Sequence, residues 1–169
     1  RLGAAVTLKG KIGDDTLGAV MHAHLTSEHV ATHVNVVPGG LTTRVGILVA
    51  ADGEHSFVID HTKMLRFDDG DAPLTLLDGA AAVFFNGYEI FLARSASFLS
   101  SLLDEARRRS VPIIFDPSSF ALIRQYGADR LLQEVGPLDI LIANEDEARA
   151  LAPEDGLQGL LRFTKVLVV

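Results

Sequence analysis

The chain predicts an α/β protein: a mostly parallel sheet with a small antiparallel sheet inserted into it. Short apolar runs at 81–85, 111–115, 138–143 and 165–169 recur at intervals of about 26 to 30 residues with helical patterns between them, the rhythm of βαβ units. The texture differs between 32 and 60. There, short runs rich in Val, Ile, Thr and Phe are joined by Pro38-Gly39-Gly40 and Ala51-Asp52-Gly53, both turn signals.

Taken in order, 4–9 reads as a strand closed by Gly10-Lys11-Ile12-Gly13. Asp14 or Asp15 then caps a helix whose apolar residues Leu17, Val20, Met21 and Leu25 follow helical spacing. Residues 32–37, 42–50 and 54–60 read as three strands of the small antiparallel sheet. The clearest helix is 95–109, with Phe98, Leu99, Leu102, Leu103 and Ala106 on one face. Asp104/Arg108 and Glu105/Arg109 are spaced to pair along its exposed side. A helix begins near Phe120, capped by Ser118 or Ser119, and another covers 145–151. The layout is therefore an α/β body over 1–31 and 63–169, with an insertion at 32–62 suited to closing over a site.

At 169 residues and 48% apolar content, the chain suffices for one domain with a core. A formal charge of −7 and a pI near 5.2 argue against nucleic acid or an anionic membrane surface as partner, because both are polyanions. No apolar run approaches the roughly 20 residues a bilayer span needs. The absence of cysteine excludes disulfides and thiolate metal sites and fits a cytoplasmic protein. Arg1-Leu2-Gly3-Ala4 reads as the last turn of a helix and 165–169 as a strand that stops inside a sheet, so the chain reads as a piece of a longer protein. Neither G-x-G-x-x-G, G-x-x-x-x-G-K-[ST] nor G-x-S-x-G occurs, which counts against dinucleotide dehydrogenases, P-loop NTPases and α/β-hydrolases.

Chemistry-bearing residues gather at predicted strand ends, the edge where open α/β sheets bind ligands. Asn144 and Glu147 lie between the strand at 138–143 and the next helix. They fit a capping box, and they equally fit an amide and a carboxylate that hold a phosphate and a hydrated metal. Asp116, with Pro117 after it, ends the preceding strand, either as a turn residue or as a group opening onto the same edge. The six histidines lack metal-ligand spacing: His22 and His24 fall on different helix faces, and His29 and His33 straddle a boundary.

Five stretches, in order, resemble the PfkB, or ribokinase-like, carbohydrate and nucleoside kinases. RLGAAVTLKGKIGDDTLG (1–18) resembles the second half of the first family motif, with Gly3, Gly10, Gly13, Asp15 and Gly18 in place. PGGLTTRVGILVAADGEHSF (38–57) resembles the lid strands, VFFNGY (83–88) the strand ending in Gly-Tyr, FDPSS (115–119) the Asp-Pro strand end, and LIANEDEARAL (141–151) the N-x-x-E motif. At 60–64 (DHTKM) the sequence departs from the G-A-N-like segment common in the family.

The resemblance implies a ribokinase-like three-layer sandwich with an antiparallel β lid. It also implies transfer of the γ-phosphate of ATP, with Mg2+, to a hydroxymethyl group of a sugar. The alternatives are a nucleoside acceptor, or a non-catalytic relative acting through lid-mediated dimerisation. It places Gly40, Thr43, Asn86, Gly87, Tyr88 and Glu89 toward the acceptor and Asp116, Asn144 and Glu147 around the phosphates and metal, with no direct metal ligand. The catalytic base and the anion hole are expected beyond Val169, so this stretch by itself is expected to be inactive. A homodimer through the lid is the implied assembly.

Overall fold

Runs of aromatic and branched residues that suit a half-buried pleated surface become four strands: β5 (Val83–Asn86), β6 (Ile113–Asp116), β7 (Leu138–Ile142) and β8 (Thr164–Val168). They form one parallel sheet in the order β5-β6-β7-β8. Helices fill the crossovers, as parallel neighbours require. These are α2 (Tyr88–Phe91) and α3 (Ser97–Arg108) before β6, α4 (Phe120–Tyr126) and α5 (Ala128–Val135) before β7, and α6 (Glu145–Leu151) and α7 (Gly156–Leu160) before β8. The computed structural model describes residues 3–60, 63–68, 70–71, 73–91 and 97–169. The chain divides into two compact units, Arg1–Arg66 and Phe67–Val169.

The core of the second unit joins sheet to helices: Phe85, Ile113, Phe115 and Leu141 from the strands meet Leu103, Ala106, Ile123, Leu131, Leu151 and Leu160 from the helices. Phe85 and Phe115 sit side by side on β5 and β6 with ring centroids 4.8 Å apart. The apolar face predicted for α3 is buried at Leu99, Leu102, Leu103 and Ala106; Ser95, Ala96 and the Phe98 side chain lie outside the described residues. On its other face the predicted Glu105/Arg109 pair forms, and the predicted Asp104/Arg108 pair does not. Arg108 pairs with Glu105 rather than Asp104, at 2.5 Å, Arg109 also reaches Glu105 at 2.5 Å, and Asp104 takes Arg107. The longer glutamate reaches both arginines, and together they hold its carboxyl down to about 2.

In the first unit, β1 (Thr7–Gly13) and β2 (Ala31–Val37) flank α1 (Thr16–Ser27). The two strands run parallel in register from Thr7↔Ala31 to Gly13↔Val37. This corrects two expectations. Residues 10–13 extend β1 instead of closing it, because β2 pairs along their whole length. The run at 32–37 is not a strand of the antiparallel sheet, because a helix returns the chain to β1 and the pair is a βαβ unit. The antiparallel sheet therefore has two strands, β3 (Val45–Val49) and β4 (His55–Ile59), paired Val45↔Ile59 through Val49↔His55. Their turn closes with Gly53 at φ 91° and with Glu54 N–H donating to Asp52 Oδ1. His61 and Thr62, at the end of the predicted insertion, lie outside the described residues, as do Arg1 and Leu2 of the predicted last turn of a helix.

Candidate active site at the carboxyl edge of the parallel sheet

Because β5, β6 and β7 are parallel neighbours, their carboxyl ends share one edge of the sheet. Asn86 stands directly opposite Asp116 in the register, and β7 next to them leads through Ala143 into Asn144. The sheet thus brings Asn86, Gly87, Tyr88, Glu89, Asp116, Asn144 and Glu147 to the same side.

At β7 the backbone turns from strand to helix at Asn144, whose Oδ1 accepts the Glu147 N–H at 2.9 Å while Glu147 Oε2 accepts the Asn144 N–H at 3.0 Å. The capping box is thus present, satisfying backbone donors that the first turn of α6 leaves open. Glu147 is only 5% exposed, yet three acidic residues crowd this first turn. Burial raises its carboxyl pKa, and the charge of Asp116 raises it further. That coupling sets the ends of β6 and β7 within electrostatic reach of each other.

At β6, Asp116 Oδ1 accepts from Ser118 N–H at 2.7 Å and from Ser118 Oγ at 3.1 Å, with Ser118 at φ 62°. This Asx-type turn leaves Oδ2 without a donor among the described residues. Ser119, not Ser118, caps the next helix, accepting the Leu122 N–H at 3.3 Å.

At β5 the same device recurs. Asn86 Oδ1 accepts the Tyr88 N–H at 2.9 Å, and Glu89 Oε2 accepts the Asn86 N–H at 3.3 Å. Desolvation raises the Glu89 carboxyl as well. Asn86–Glu89 and Asn144–Glu147 are thus two strand-end N-x-x-E pairs at one edge, a repeat visible in the sequence as spacing but not as structure. Gly87 donates to Asp116 O at 2.8 Å, and a Cβ there would collide with the Pro117 carbonyl and lie 2.7 Å from the Phe91 ring. Its glycine is required by close approach of the two strand ends.

Gly40 and Thr43 belong to the first unit. Gly40 closes the turn after β2, donating to Val37 O at 2.9 Å. Thr43 Oγ1 accepts the Leu65 N–H at 3.1 Å, joining the chain entering the hairpin to the chain leaving it. Of the two candidate caps, Asp15 caps α1, and both carboxylates also bond beyond the helix. Asp15 Oδ1 accepts the Gly18 N–H at 2.9 Å and the Thr42 hydroxyl at 2.6 Å, and Asp14 Oδ2 accepts the Gly39 N–H at 2.9 Å. Sequence reasoning missed Thr42, because nothing local signals a bond to a residue 27 positions away.

A cavity of about 250 Å3 lies at the opposite, amino ends of β6, β7 and β8, lined by residues including Arg107, Asp139 and Lys165. Its charges are already matched, Lys165 with Asp139 at 2.7 Å and Arg107 with Asp104 at 3.0 Å, and it lies away from the strand ends that carry open polar groups. Among the described residues, no cluster of three or more His, Cys, Asp or Glu could hold a metal ion by itself.

Solved structures share the fold. An adenosine kinase from Sinorhizobium meliloti matches with a TM-score of 0.84 at 22% identity, covering 98% of this chain and 53% of that one. A fructokinase from Xylella fastidiosa matches at 0.81 and 19% identity, covering 99% and 55%. An uncharacterized sugar kinase from Pyrococcus horikoshii, solved in complex with ATP, matches at 0.78 and 23% identity, covering 94% and 53%. The chain thus spans about half the length of these structures, and its fold is ribokinase-like. No curated protein matches it. The model of the pfkB family of carbohydrate kinases matches residues 1–165, and the chain belongs to that family.

Proposed function

We propose that the intact protein is an ATP-dependent kinase that phosphorylates a hydroxymethyl group of a small sugar in the cytoplasm. The observation that carries this reading is the family match over 1–165 together with the gathering of Asn144, Glu147 and Asp116 at one sheet edge. Phosphoryl transfer depends on alignment and on compensation of moving negative charge. Asn144 supports it with a side-chain amide at the strand end, a group suited to donate to a phosphate oxygen. Asp116 keeps an oxygen without a donor among the described residues, and the Glu147 carboxyl lies within its electrostatic reach. Their charges oppose each other, which burial of Glu147 intensifies, and this fits a hydrated divalent cation held through its water ligands. Asp116 and Glu147 would hold a hydrated Mg2+ there, which would offset the negative charge of the phosphates.

Asn86, Gly87, Tyr88 and Glu89 form the acceptor side. Glu89 offers a carboxylate to a sugar hydroxyl, and Tyr88 offers a ring to stack on a sugar or base. Gly40 and Thr43 act from the root of the hairpin β3–β4, which serves as the lid; within 32–62 only these two strands have that role. Phosphoryl transfer at this site also takes a base and an anion hole. The hairpin exposes Ile47, Leu48, Val49, Phe57 and Val58, which favours a homodimer formed through it. Adenosine kinase among the similar structures supports a second reading, a nucleoside acceptor. Incubating the full-length protein with labelled ATP and Mg2+ against ribose, fructose, 2-keto-3-deoxygluconate and adenosine separates the two. Transfer to none of these or to related acceptors by intact, folded protein sinks both.

A further inference from the structure

Around Asp15, one carboxylate organises a segment distant in sequence. It accepts the Gly18 N–H at 2.9 Å, the Thr42 hydroxyl at 2.6 Å, the Thr42 N–H at 3.2 Å and Arg44 Nη2 at 3.2 Å. Thr42 is 4% exposed, and its hydroxyl accepts the Gly13 N–H at 3.0 Å while donating to Asp15. Both hydroxyl functions are thus consumed inside the protein. The fit is tight: a Cβ on Gly13 would strike the Gly40 carbonyl and the Thr42 nitrogen, and one on Gly18 would strike the Gly13 carbonyl and approach Thr42 Oγ1 at 2.9 Å. Asp14 adds its bond to Gly39 N–H. On the return side, Leu65 N–H is held by Thr43, and Arg66 O accepts from Lys11 Nζ at 2.8 Å. Both legs of the hairpin β3–β4 are therefore clasped to β1 and the start of α1, while the hairpin above them exposes residues on both faces.

We propose that Asp15 and Thr42 are positioning residues: they touch no substrate, and they set the angle at which the hairpin leaves the β1–α1 turn, and through it the affinity for the acceptor. A hairpin of two strands has no stiffness of its own, so its orientation is inherited from its root. Asp15 is the one group that bonds to the helix start, to the backbone and side chain of Thr42, and to Arg44 at the foot of β3. The inference rests on the lid reading above.

The test uses the full-length protein, with Asp15→Asn, Thr42→Val and Thr42→Ser. Backbone hydrogen exchange should quicken in β3 and β4 of Asp15→Asn and Thr42→Val by about tenfold or more, with β5 to β8 unchanged. Thr42→Ser, which keeps the hydroxyl, should exchange like wild type. On an acceptor that wild type phosphorylates, KM for the acceptor should rise roughly tenfold with kcat and the KM for ATP changed less than about threefold. Loss of folded enzyme alone would lower kcat and leave both KM values in place, and that result overturns the proposal. Hairpin exchange at the wild-type rate in both variants overturns it too. If wild type phosphorylates nothing, the kinase reading fails, and exchange alone judges the clasp. Should Asp15→Asn fail to fold, Thr42→Val and the exposed Arg44→Gln carry the same comparison.

Discussion

Glu147 has two duties that one substitution can separate. Glu147→Gln keeps an oxygen to accept the Asn144 N–H, so the cap survives while the charge is lost. In the full-length protein we expect activity or Mg2+ affinity to fall about 10–100-fold, the usual scale for groups that orient a metal; steady-state kinetics across a Mg2+ titration measures it. Wild-type activity and Mg2+ dependence in this variant would leave Glu147 as a cap only. Asn144→Ala, by contrast, should also lose about 1 kcal/mol of stability with its cap, read by chemical denaturation. The carboxyls differ in how they respond to pH. Asp15 is held down to about 2, first by the Thr42 hydroxyl and then by the Gly18 N–H. Its contribution to stability is present above its ordinary value of 3.8 and is lost as pH falls from there toward 2. Asp15→Asn should therefore be less stable than wild type at neutral pH, with the gap closing in acid. Glu89 behaves oppositely. Burial raises it above 4.5, so its favourable protonated form is lost as pH rises through that raised value. Glu89→Gln should gain in stability relative to wild type as pH rises above 4.5, and a constant difference would refute the shift.

At the scale of elements, the site depends on strand ends that approach more closely than side chains allow. Gly87→Ala places a methyl against the Pro117 carbonyl, and the overpacking should cost about 1–3 kcal/mol. Equilibrium denaturation of the full-length variant tests it, and an unchanged midpoint would mean that β5 and β6 can part without penalty. Much at this scale was legible beforehand. Parallel strands appeared where apolar runs recurred, and α6 spans the predicted 145–151. The run at 32–37 misled because β-branched residues suit parallel and antiparallel pairing alike. Strand propensity carries no partner, and α1 decided the partner by returning the chain alongside β1. The one displaced ion pair of α3, Asp104/Arg108, has a similar origin: spacing names which residues can meet, while reach chooses among them.

For the molecule as a whole, the two units are unequally finished. The second has a continuous core, whereas Ile12 is the only buried large apolar residue described in the first, where Val20, Met21, Val36 and the hairpin's Ile47, Leu48 and Val49 are exposed. If the hairpin is the dimer contact, Leu48→Glu in the full-length protein should convert a dimer to a monomer in sedimentation velocity, since a charge on an apolar face costs heavily when buried. A dimer that persists would place the contact elsewhere.

From residue order alone followed the α/β class, the recurrence of parallel strands, the hairpin and the family, because hydrophobic period and short motifs are local properties. Tertiary structure alone decided that Asn86 faces Asp116, that two N-x-x-E pairs share one edge, and that Thr42 answers Asp15. Such pairings are made by register and close approach between distant segments, and no window along the chain contains both partners.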